Sequence, residues 1–372
     1  MKKEYDWLIV GAGLSGATFA REMTNKGFKC LIVEKDDFIG GNCASENKNG
    51  IEVHKFGAHI FHTNDKEVWK WINKYSSFNN FVNSPVAEYN GKIYNLPFNM
   101  NTFCQIFEGA TTPNDAKRVI KSEIEKYGVK NPKNLEEQAI SLVGKTIFDI
   151  LIKGYTEKQW GRPCKELPAS IIKRLPVRFT FDNNFFNARY QGIPEIGYTK
   201  MIEKVINGVY NEKSIDYQLN TDFLKNREYF ENIAENVLFT GPIDAFFNYK
   251  FGNLEYRSLR FETVEKKTNN FQGVAVKNFT SADVPYTRVI EHKHFMFGDT
   301  TDISYVTYEY PNEWKVGKRE YYPIRNEINI KLLNKYLSIC PKNVHFGGRL
   351  GLYEYNDMDT TIKKAIDFSK GI

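Results

Sequence analysis

The chain has 372 residues, of which 41% are hydrophobic and 26% are charged, and its net charge is +6. A chain of this length can bury a large core and is expected to form two or three domains of ordinary globular composition. Its basic residues form no block of the kind that binds nucleic acid, so the modest positive charge indicates an anionic small molecule as the partner.

The cysteines and the apolar runs indicate where the protein works. Five scattered cysteines without a CxxC pair argue against a disulfide framework or a zinc site, and for a reducing compartment. The N-terminal residues lack the apolar region of a signal peptide, and no apolar run approaches the roughly 18 residues of a membrane helix. We therefore expect a cytoplasmic protein with no membrane span and no bound metal.

The first pattern along the chain is strand, glycine turn, helix and strand. An apolar run ends at Gly11, and Gly13 and Gly16 complete a GxGxxG motif. The first glycine permits the tight turn, the second lets the backbone approach a pyrophosphate, and the third lets the helix pack on the strand. Glu34 ends the second apolar run, 18 positions after Gly16, where an acid can bind ribose hydroxyls. The motif predicts a dinucleotide site, and a purely structural glycine turn is the alternative.

A second glycine turn and a group of histidines follow. The Gly40-Gly41-Asn42 turn lies a few residues after Glu34 and favours FAD over NAD. The spacing of His54, His59 and His62 fits no zinc site. We interpret them as core histidines or as neighbours of the cofactor, since Gly57 would let this turn approach a ring system.

The middle of the chain predicts a hairpin and then helices. Asn90-Gly91 stands between two alternating runs, which is typical of a type I′ turn. Apolar spacing predicts a helix from Leu135 to Ile152 that stops at Gly154. Three residues follow this stop, and they either bind a ligand or cap the helical core: Tyr155, Thr156 and Trp160.

The second half of the chain predicts a basic loop, a strand that rejoins the first domain, and a series of further strands. Arg174 and Arg178 flank Pro176 in a loop that suits phosphate capture, unless it is only a solvated basic loop. A strand from Val237 to Gly241 resembles a return to the first domain. Four further strands predict an antiparallel sheet, and the last 40 residues predict helix, strand, glycine turn and helix.

Eight separated stretches together resemble the bacterial UDP-galactopyranose mutases, and the similarity runs from Tyr5 to about Ile366. These stretches are "GAHIFHT", "GYTEKQWG", "LPASIIKRLPVRF", "FDNNFFNARYQG", "GYTKMIEK", "VPYTRVIEHKHF", "EYYPIR" and "GGRLGLYEYNDMD". Their number and order make the resemblance far more specific than the glycine motif alone.

The resemblance and the patterns together imply an α/β fold with a discontinuous Rossmann-like FAD-binding domain. We assign this domain to residues 1–82, 205–247 and 332–372. An antiparallel β-sheet domain is expected at 83–101 and 248–331. An inserted helical domain is expected at 102–204, with a mobile substrate loop near 165–180.

The resemblance also implies an activity and its cofactor. Family members interconvert UDP-galactopyranose and UDP-galactofuranose, the donor for galactofuranose in cell-surface polysaccharide. The flavin must be reduced, and its N5 attacks the anomeric carbon of the sugar, expels UDP and forms a covalent adduct. An external reductant and a homodimer are expected with this activity.

Site residues follow from the resemblance position by position. Catalytic roles fall to Arg174, Arg288 and His59, and the two arginines would stabilise the leaving UDP. Substrate contacts are expected at Asn83, Leu151, Ile152, Tyr155, Thr156, Trp160, Phe185, Asn278, Tyr322, Tyr355 and Asp357. FAD contacts are expected at Gly11, Gly13, Ser15, Gly16, Glu34, Lys35, Gly41, Asn42, His59, Ile60, Arg349, Asp357 and Met358.

One departure from the family pattern weakens an expected contact. Phe185 stands where the family often has a tyrosine that reaches the diphosphate, and the lost hydrogen bond is worth about 1–3 kcal/mol. His59 favours plain galactose over its N-acetyl analogue, because a relative that accepts the analogue has arginine near this position. Three alternatives stay open: a UDP-N-acetylgalactopyranose mutase, an FAD-dependent oxidoreductase and a non-catalytic nucleotide sensor.

Overall fold

The computed structural model describes residues 3–172, 177–298 and 301–372. The strands in these ranges are β1 (Tyr5–Val10), β2 (Cys30–Val33), β3 (Ser45–Lys48), β4 (Ile51–His54), β5 (Phe61–Thr63), β6 (Val86–Tyr89), β7 (Lys92–Asn95), β8 (Tyr190–Gly192), β9 (Asp216–Gln218), β10 (Ala234–Phe239), β11 (Tyr256–Lys266), β12 (Val276–Phe279), β13 (Arg288–Glu291), β14 (Ser304–Glu313), β15 (Tyr322–Pro323) and β16 (Val344–Phe346). The α-helices are α1 (Leu14–Asn25), α2 (Lys66–Ile72), α3 (Met100–Ile106), α4 (Pro113–Tyr127), α5 (Leu135–Ile147), α6 (Gly154–Trp160), α7 (Tyr198–Asn207), α8 (Arg227–Ile233), α9 (Ile243–Phe246), α10 (Glu327–Leu337), α11 (Gly348–Gly351) and α12 (Met358–Lys370). Within the described ranges, no helix has the length and hydropathy needed to cross a membrane.

The chain folds into two units, each built from separate stretches of sequence. The first comprises Met1–Phe81, Ala188–Tyr256 and Glu320–Ile372, and the second comprises Val82–Asn187 and Arg257–Arg319. Most of the segments predicted as a helical domain and as a sheet domain therefore contribute to the second unit. The division into three domains stays a prediction.

A parallel sheet forms the centre of the first unit, in the order β16-β10-β1-β2-β9. β1 pairs with β10 on one side and β2 on the other, and all of these pairings are parallel. The three central strands are apolar where they cross the core, at Leu8–Val10, Leu31–Val33 and Val237–Phe239, as parallel strands covered on both faces must be. The predicted Rossmann-like fold is confirmed. The prediction that later parts of the chain rejoin the first domain is also confirmed, because β10 and β16 extend the sheet begun by the N-terminal strands.

The second unit contains a mixed sheet and a bundle of helices. Its strands follow the order β11-β14-β13-β12-β6-β7. The hairpin between β6 and β7 is confirmed, since Asn90 and Gly91 both have positive φ (51° and 77°), as a type I′ turn requires. The prediction of a purely antiparallel sheet was wrong at one junction, because β12 pairs with β6 in parallel. This pairing joins strands that are far apart in sequence, so no local turn signal reports its direction.

Helices α3 to α5 pack on the hairpin and share its hydrophobic core. Ala87 and Tyr94 of the hairpin lie in one buried cluster with Phe103 of α3 and Val143 of α5. This common core is the physical reason why the helical segment and the hairpin belong to one unit.

The predicted long helix from Leu135 to Ile152 is wrong in its details. Gly144 breaks helical geometry at φ 79° and ψ 168°, and Glu123 accepts the hydrogen bond of the Thr146 N–H group at 3.1 Å. A π-helical stretch, Phe148–Lys153, then leads directly into α6. Gly154 does not stop the helix, since its φ of −65° is helical, and the chain reverses only at Gly161, at φ 65°.

Replacing Gly16 by alanine should destabilise the first unit. An added Cβ would lie 2.1 Å from the Gly11 carbonyl oxygen and 3.0 Å from Ile9, so α1 would have to move away from β1. We expect the free energy of unfolding to fall by about 1–3 kcal/mol in a urea titration. Gly371→Ala is the matched control, because its Cβ would meet its nearest neighbour at 3.5 Å. Equal stability of the two variants would contradict this role.

Candidate functional site

The three glycines of the first turn have different surroundings. Gly11 has φ 112°, and a Cβ there would lie 2.2 Å from the Thr240 hydroxyl oxygen. Gly16 is required by the packing of α1 on β1. A Cβ on Gly13, in contrast, would meet no described protein atom closer than the Gly41 Cα at 3.8 Å. The protein alone therefore does not require glycine at position 13, and the open space suits a ligand that approaches the backbone.

Glu34 lies at the end of β2 and caps this turn. Its carboxylate accepts hydrogen bonds from the Ala12 N–H group at 2.8 Å and the Asp36 N–H group at 2.9 Å. Burial raises the pKa of Glu34, and the two backbone N–H groups oppose this shift. A carboxylate can accept about four hydrogen bonds, so the side chain can still accept bonds from ribose hydroxyls.

The second glycine turn lies beside the first. Gly41 and Asn42 belong to the short helical turn Gly41–Cys43, and the Gly40 N–H group donates to the Ala12 carbonyl at 3.0 Å. A Cβ on Gly41 would lie 3.2 Å from the Gly13 Cα. The two glycine turns therefore touch through their backbones, as the sequence led us to expect of a cofactor site.

Arg349 provides the cationic group of this region. Its guanidinium donates to the Tyr321 carbonyl and lies 4.9 Å from the centre of the Tyr355 ring. The Tyr355 ring in turn stacks on Tyr322 at 5.8 Å. The Arg349 Nε–H group is buried, and no acceptor for it is found among the described residues. Buried donors of this kind are rare unless a ligand or water satisfies them.

The remaining predicted cofactor residues lie on several elements of the same unit. Ser15 is near the start of α1, where a Cβ on Gly348 would approach it to 3.4 Å. Asp357 precedes Met358 at the N-terminus of α12 and makes no capping hydrogen bond through its side chain. Lys35 is exposed and follows Glu34. These positions are compatible with flavin and phosphate contacts, which stay predictions.

His59 and Ile60 lie in a turn fixed by Tyr198. The buried Tyr198 hydroxyl donates to the His59 carbonyl and accepts from the Phe61 N–H group, both at 3.0 Å. The His59 Nδ1–H group donates to the Gly57 carbonyl at 2.9 Å, and the ring centres of His54 and His59 are 6.4 Å apart. The described residues include no group of three His, Cys, Asp or Glu side chains that could hold a metal ion.

In the second unit, a polar row crosses three neighbouring strands. Asn278 of β12 is paired with Arg288 of β13, and Arg288 with Glu309 of β14. Arg288 donates to the Tyr155 hydroxyl at 3.0 Å, and its Nε lies 3.9 Å from the carboxylate of the buried Glu309. The guanidinium is thus oriented by a phenol and a carboxylate, and it stays 23% exposed. Of the predicted catalytic residues, Arg288 has a geometry suited to binding an anion.

Two amide side chains of the second unit, one in this row and one on α6, have polar atoms without partners among the described residues. The Asn278 Oδ1 atom is buried, and so are both the oxygen and the nitrogen of the Gln159 amide, with no hydrogen bond to any described residue. Gln159 lies on α6, four residues after Tyr155 and three after Thr156, so these side chains share one side of the helix. An amide that offers one donor and one acceptor can pair with the imide edge of a pyrimidine base.

The other predicted substrate residues of the second unit are more buried. Leu151 and Ile152 are 5% and 4% exposed and belong to the hydrophobic core, so little of either side chain is open to a ligand. Trp160 packs partly against the same core. The Phe185 N–H group donates to the Asn83 carbonyl at 2.7 Å, and this bond brings two predicted substrate residues together. Their roles as contacts stay predictions.

Of the two arginines in the predicted basic loop, the structure describes only Arg178. Arg174 lies outside the described residues. The two terminal nitrogens of Arg178 donate to the carbonyls of Asn184 and Phe185, the latter at 3.1 Å, and a role of this arginine in phosphate capture stays a prediction.

Sequence reasoning missed Gln159 and Glu309. The signal for Gln159 was available, because helical spacing places it beside Tyr155 and Thr156. Glu309 carries no local signal, since a single acid in a strand is ordinary and only sheet register reveals its pairing with Arg288.

Two family models match the chain. The UDP-galactopyranose mutase model matches residues 150–355, and a model of an NAD(P)-binding Rossmann-like domain matches residues 9–75. A protein described as a probable UDP-galactopyranose mutase from Klebsiella pneumoniae is 41% identical over 363 residues, which cover 96% of this chain and 92% of that protein. The chain belongs to the UDP-galactopyranose mutase family. It is a flavin-dependent mutase, which is an isomerase, and its first unit contains the FAD-binding Rossmann-like domain.

Another relative in this family acts on a different sugar nucleotide. A dTDP-fucopyranose mutase from Escherichia coli is 38% identical over 369 residues, which cover 97% of this chain and 96% of that protein. A crystal structure of reduced UDP-galactopyranose mutase aligns with a TM-score of 0.74 at 15% identity and covers 98% of this chain and 95% of that one. This structural similarity confirms the mutase fold, while the two relatives leave the sugar nucleotide open.

Gly13→Ala should weaken FAD binding without destabilising the apoprotein. The added methyl group fits the protein but occupies space that a pyrophosphate would use, at a cost of about 1–3 kcal/mol. FAD affinity should therefore fall by about tenfold to a hundredfold. The measurement is the flavin absorbance per chain during a titration of apoprotein, with Gly371→Ala as the control. Full affinity in Gly13→Ala would contradict the assignment of this space to the cofactor.

Proposed function

We propose that this protein interconverts UDP-galactopyranose and UDP-galactofuranose with reduced FAD, for galactofuranose-containing cell-surface polysaccharide. The observation that carries the proposal is the polar row around Arg288, because it combines an oriented cation with unpaired amides inside the region that matches the family model. A nucleoside diphosphate presents the complementary groups, since it has two anionic phosphates and a base with an imide edge.

Arg288 has the properties needed to bind and release a diphosphate. Cleavage of the bond between the sugar and UDP leaves negative charge on the phosphate, and a fixed guanidinium stabilises that charge more strongly than it stabilises the neutral bond. The Tyr155 hydroxyl and Glu309 hold Arg288 in place before the reaction. Arg174 is proposed as the second such arginine on the strength of the family resemblance alone.

Gln159 and Asn278 are proposed to complete the recognition of the nucleotide sugar. The Gln159 amide can donate to one carbonyl oxygen of uracil and accept from the imide N–H group, which would satisfy both of its buried atoms. Asn278 stands beside Arg288 in the sheet, so its buried oxygen is suited to accept from a sugar hydroxyl. Thymine has the same imide edge, and Gln159 therefore selects pyrimidines of this type without separating uracil from thymine.

The residues of the first unit fit FAD. We propose that the backbone at Gly13 and the N-terminus of α1 hold its pyrophosphate, that Glu34 binds its ribose and that the Arg349 Nε–H group donates to it. Reduced FAD supplies a nucleophile when it is bound, and the proposal includes an external reductant that keeps it reduced. A homodimer and a cytoplasmic location are proposed with the same function.

A second candidate differs in both the nucleotide and the sugar. The similarity to the dTDP-fucopyranose mutase covers almost the whole chain, at an identity close to that of the UDP-galactopyranose mutase relative. The unpaired amide of Gln159 suits thymine as well as uracil. The UDP sugar is preferred because the motifs of the chain resemble the UDP-galactopyranose mutases over their whole length.

Substrate choice is tested by comparing kcat/KM for UDP-galactofuranose and dTDP-fucofuranose with the reduced enzyme. We expect the UDP sugar to be preferred by at least about tenfold, a difference that about 1.4 kcal/mol of binding provides. The reverse preference would contradict the proposed substrate and support the second candidate. UDP-N-acetylgalactofuranose serves as the third substrate, since His59 is expected to disfavour the N-acetyl group.

Arg288→Ala should lower kcat by at least about a hundredfold, as the loss of a group that stabilises transition-state charge commonly does. Arg288→Lys keeps the charge but loses the planar fork of the guanidinium, so its kcat should lie between that of the wild type and that of Arg288→Ala. The control is Arg260→Ala, because Arg260 lies on the same sheet, is half exposed and pairs with Glu262. Wild-type turnover in Arg288→Ala would exclude this arginine from the mechanism.

A further inference from the structure

Lys158 is a half-buried lysine on α6 whose ammonium group is fully engaged by the backbone. Its Nζ donates to the carbonyls of Phe279 at 2.9 Å, Val284 at 2.9 Å and Tyr286 at 3.0 Å. An ammonium group has three N–H donors, so these three carbonyls use all of them. A surface lysine that served only solubility would not be arranged in this way.

The first of the three carbonyls ends β12, and the other two lie in the segment that joins β12 to β13. Asn278 directly precedes Phe279, which provides the first carbonyl. Arg288 comes two residues after Tyr286, which provides the last carbonyl. Lys158 lies on α6 between Tyr155 and Trp160 and directly precedes Gln159. One side chain therefore connects the helix that carries the proposed base contacts to the segment between the two strands that carry the proposed sugar and diphosphate contacts.

Burying this cation has a cost that the carbonyls offset. Burial lowers the pKa of Lys158 to about 8, while Asp283 and Glu88 oppose this shift. The segment is also held by the Thr280 hydroxyl, which donates to the Ile150 carbonyl at 2.7 Å. This second contact keeps the start of the segment in place, and the Thr287 N–H group at its end donates to the Glu309 carbonyl at 2.9 Å. Loss of Lys158 should therefore release mainly the part between these contacts, up to Tyr286, two residues before Arg288.

We infer that Lys158 is a positioning residue that fixes the approach of Arg288 to the diphosphate of the substrate by holding the segment between β12 and β13. This inference rests on the proposed function, because it assigns Lys158 a role only through Arg288. Lys158 itself touches neither the nucleotide nor the sugar in this account.

The alternative is a purely structural role, in which Lys158 stabilises the second unit without any special relation to Arg288. A double-mutant cycle distinguishes the positioning role from the structural one, because the effects of substitutions at two residues are not additive when one residue acts through the other. UDP binding is the readout, measured by calorimetry on FAD-loaded enzyme, because it does not depend on which sugar the enzyme prefers.

Four proteins enter the cycle: wild type, Lys158→Met, Arg288→Ala and the double variant. We expect Lys158→Met to raise the Kd for UDP by about tenfold in the wild-type background, and by less than about twofold when Arg288 is already alanine. Lys145→Met is the control, because Lys145 pairs with Asp149 on the surface and should leave the Kd unchanged. If Lys158→Met loses FAD or fails to fold, Lys158→Gln takes its place, since it keeps one amide group as a donor.

Two outcomes overturn the inference. An equal rise in Kd in both backgrounds would show a purely structural role, and an unchanged Kd in Lys158→Met would show no role at all. In both cases the wild-type enzyme binds UDP and the proposed function stands. Wild-type enzyme that does not bind UDP would contradict the proposed function and the inference with it.

Discussion

Helix α6 touches the backbone of the segment after β12 at a distance that only glycine allows. A Cβ on Gly154 would lie 2.2 Å from the Thr280 carbonyl oxygen, so any side chain at this position would push the helix away. The contact fixes α6 against the strands that carry Asn278 and Arg288. The geometry of the second unit depends on it, because the hydrogen bond from Arg288 to Tyr155 and the bonds from Lys158 to three carbonyls each join α6 to this part of the sheet.

The first unit also contains a close contact between a helix and a backbone carbonyl that only glycine permits. Gly16 lets α1 rest on the Gly11 carbonyl, and this close packing brings the N-terminus of the helix to the end of β1. The backbone is then exposed at Gly13, where no side chain of the described residues fills the space. Both units thus use close backbone contacts to position groups that a bound molecule can reach.

Several of the candidate contacts keep buried polar atoms without partners among the described residues. Folded proteins satisfy nearly all buried donors and acceptors, and leaving one unsatisfied costs about 1–3 kcal/mol. Asn278, Gln159 and Arg349 each keep such an atom among the described residues.

Local signals in the sequence predicted the local parts of this structure. The GxGxxG turn, the acid at the end of β2 and the Asn90-Gly91 hairpin all depend on residues within a few positions, and each was found where it was expected. Gly154 was interpreted as a helix stop, yet its φ of −65° is helical and its role lies in contact with Thr280. A glycine in sequence does not reveal which of these two roles it has.

Contacts between distant residues were beyond sequence reasoning. The parallel pairing of β12 with β6, the carboxylate behind Arg288 and the carbonyls around Lys158 all join residues that only the folded chain brings together. The family resemblance named Arg288 and Asn278 as site residues, but it did not give the partners that orient them. The structure adds these partners, and with them a physical reason for the expected chemistry.

The most direct test of this account is chromatography of UDP-galactofuranose after incubation with the purified flavoprotein, with and without dithionite. The account predicts conversion to UDP-galactopyranose only with the reductant, with no net oxidation of the sugar, because the isomerisation needs reduced flavin but consumes no electrons. An oxidised sugar product, or equal conversion with oxidised flavin, would contradict the account and favour an oxidoreductase or another route to the isomer.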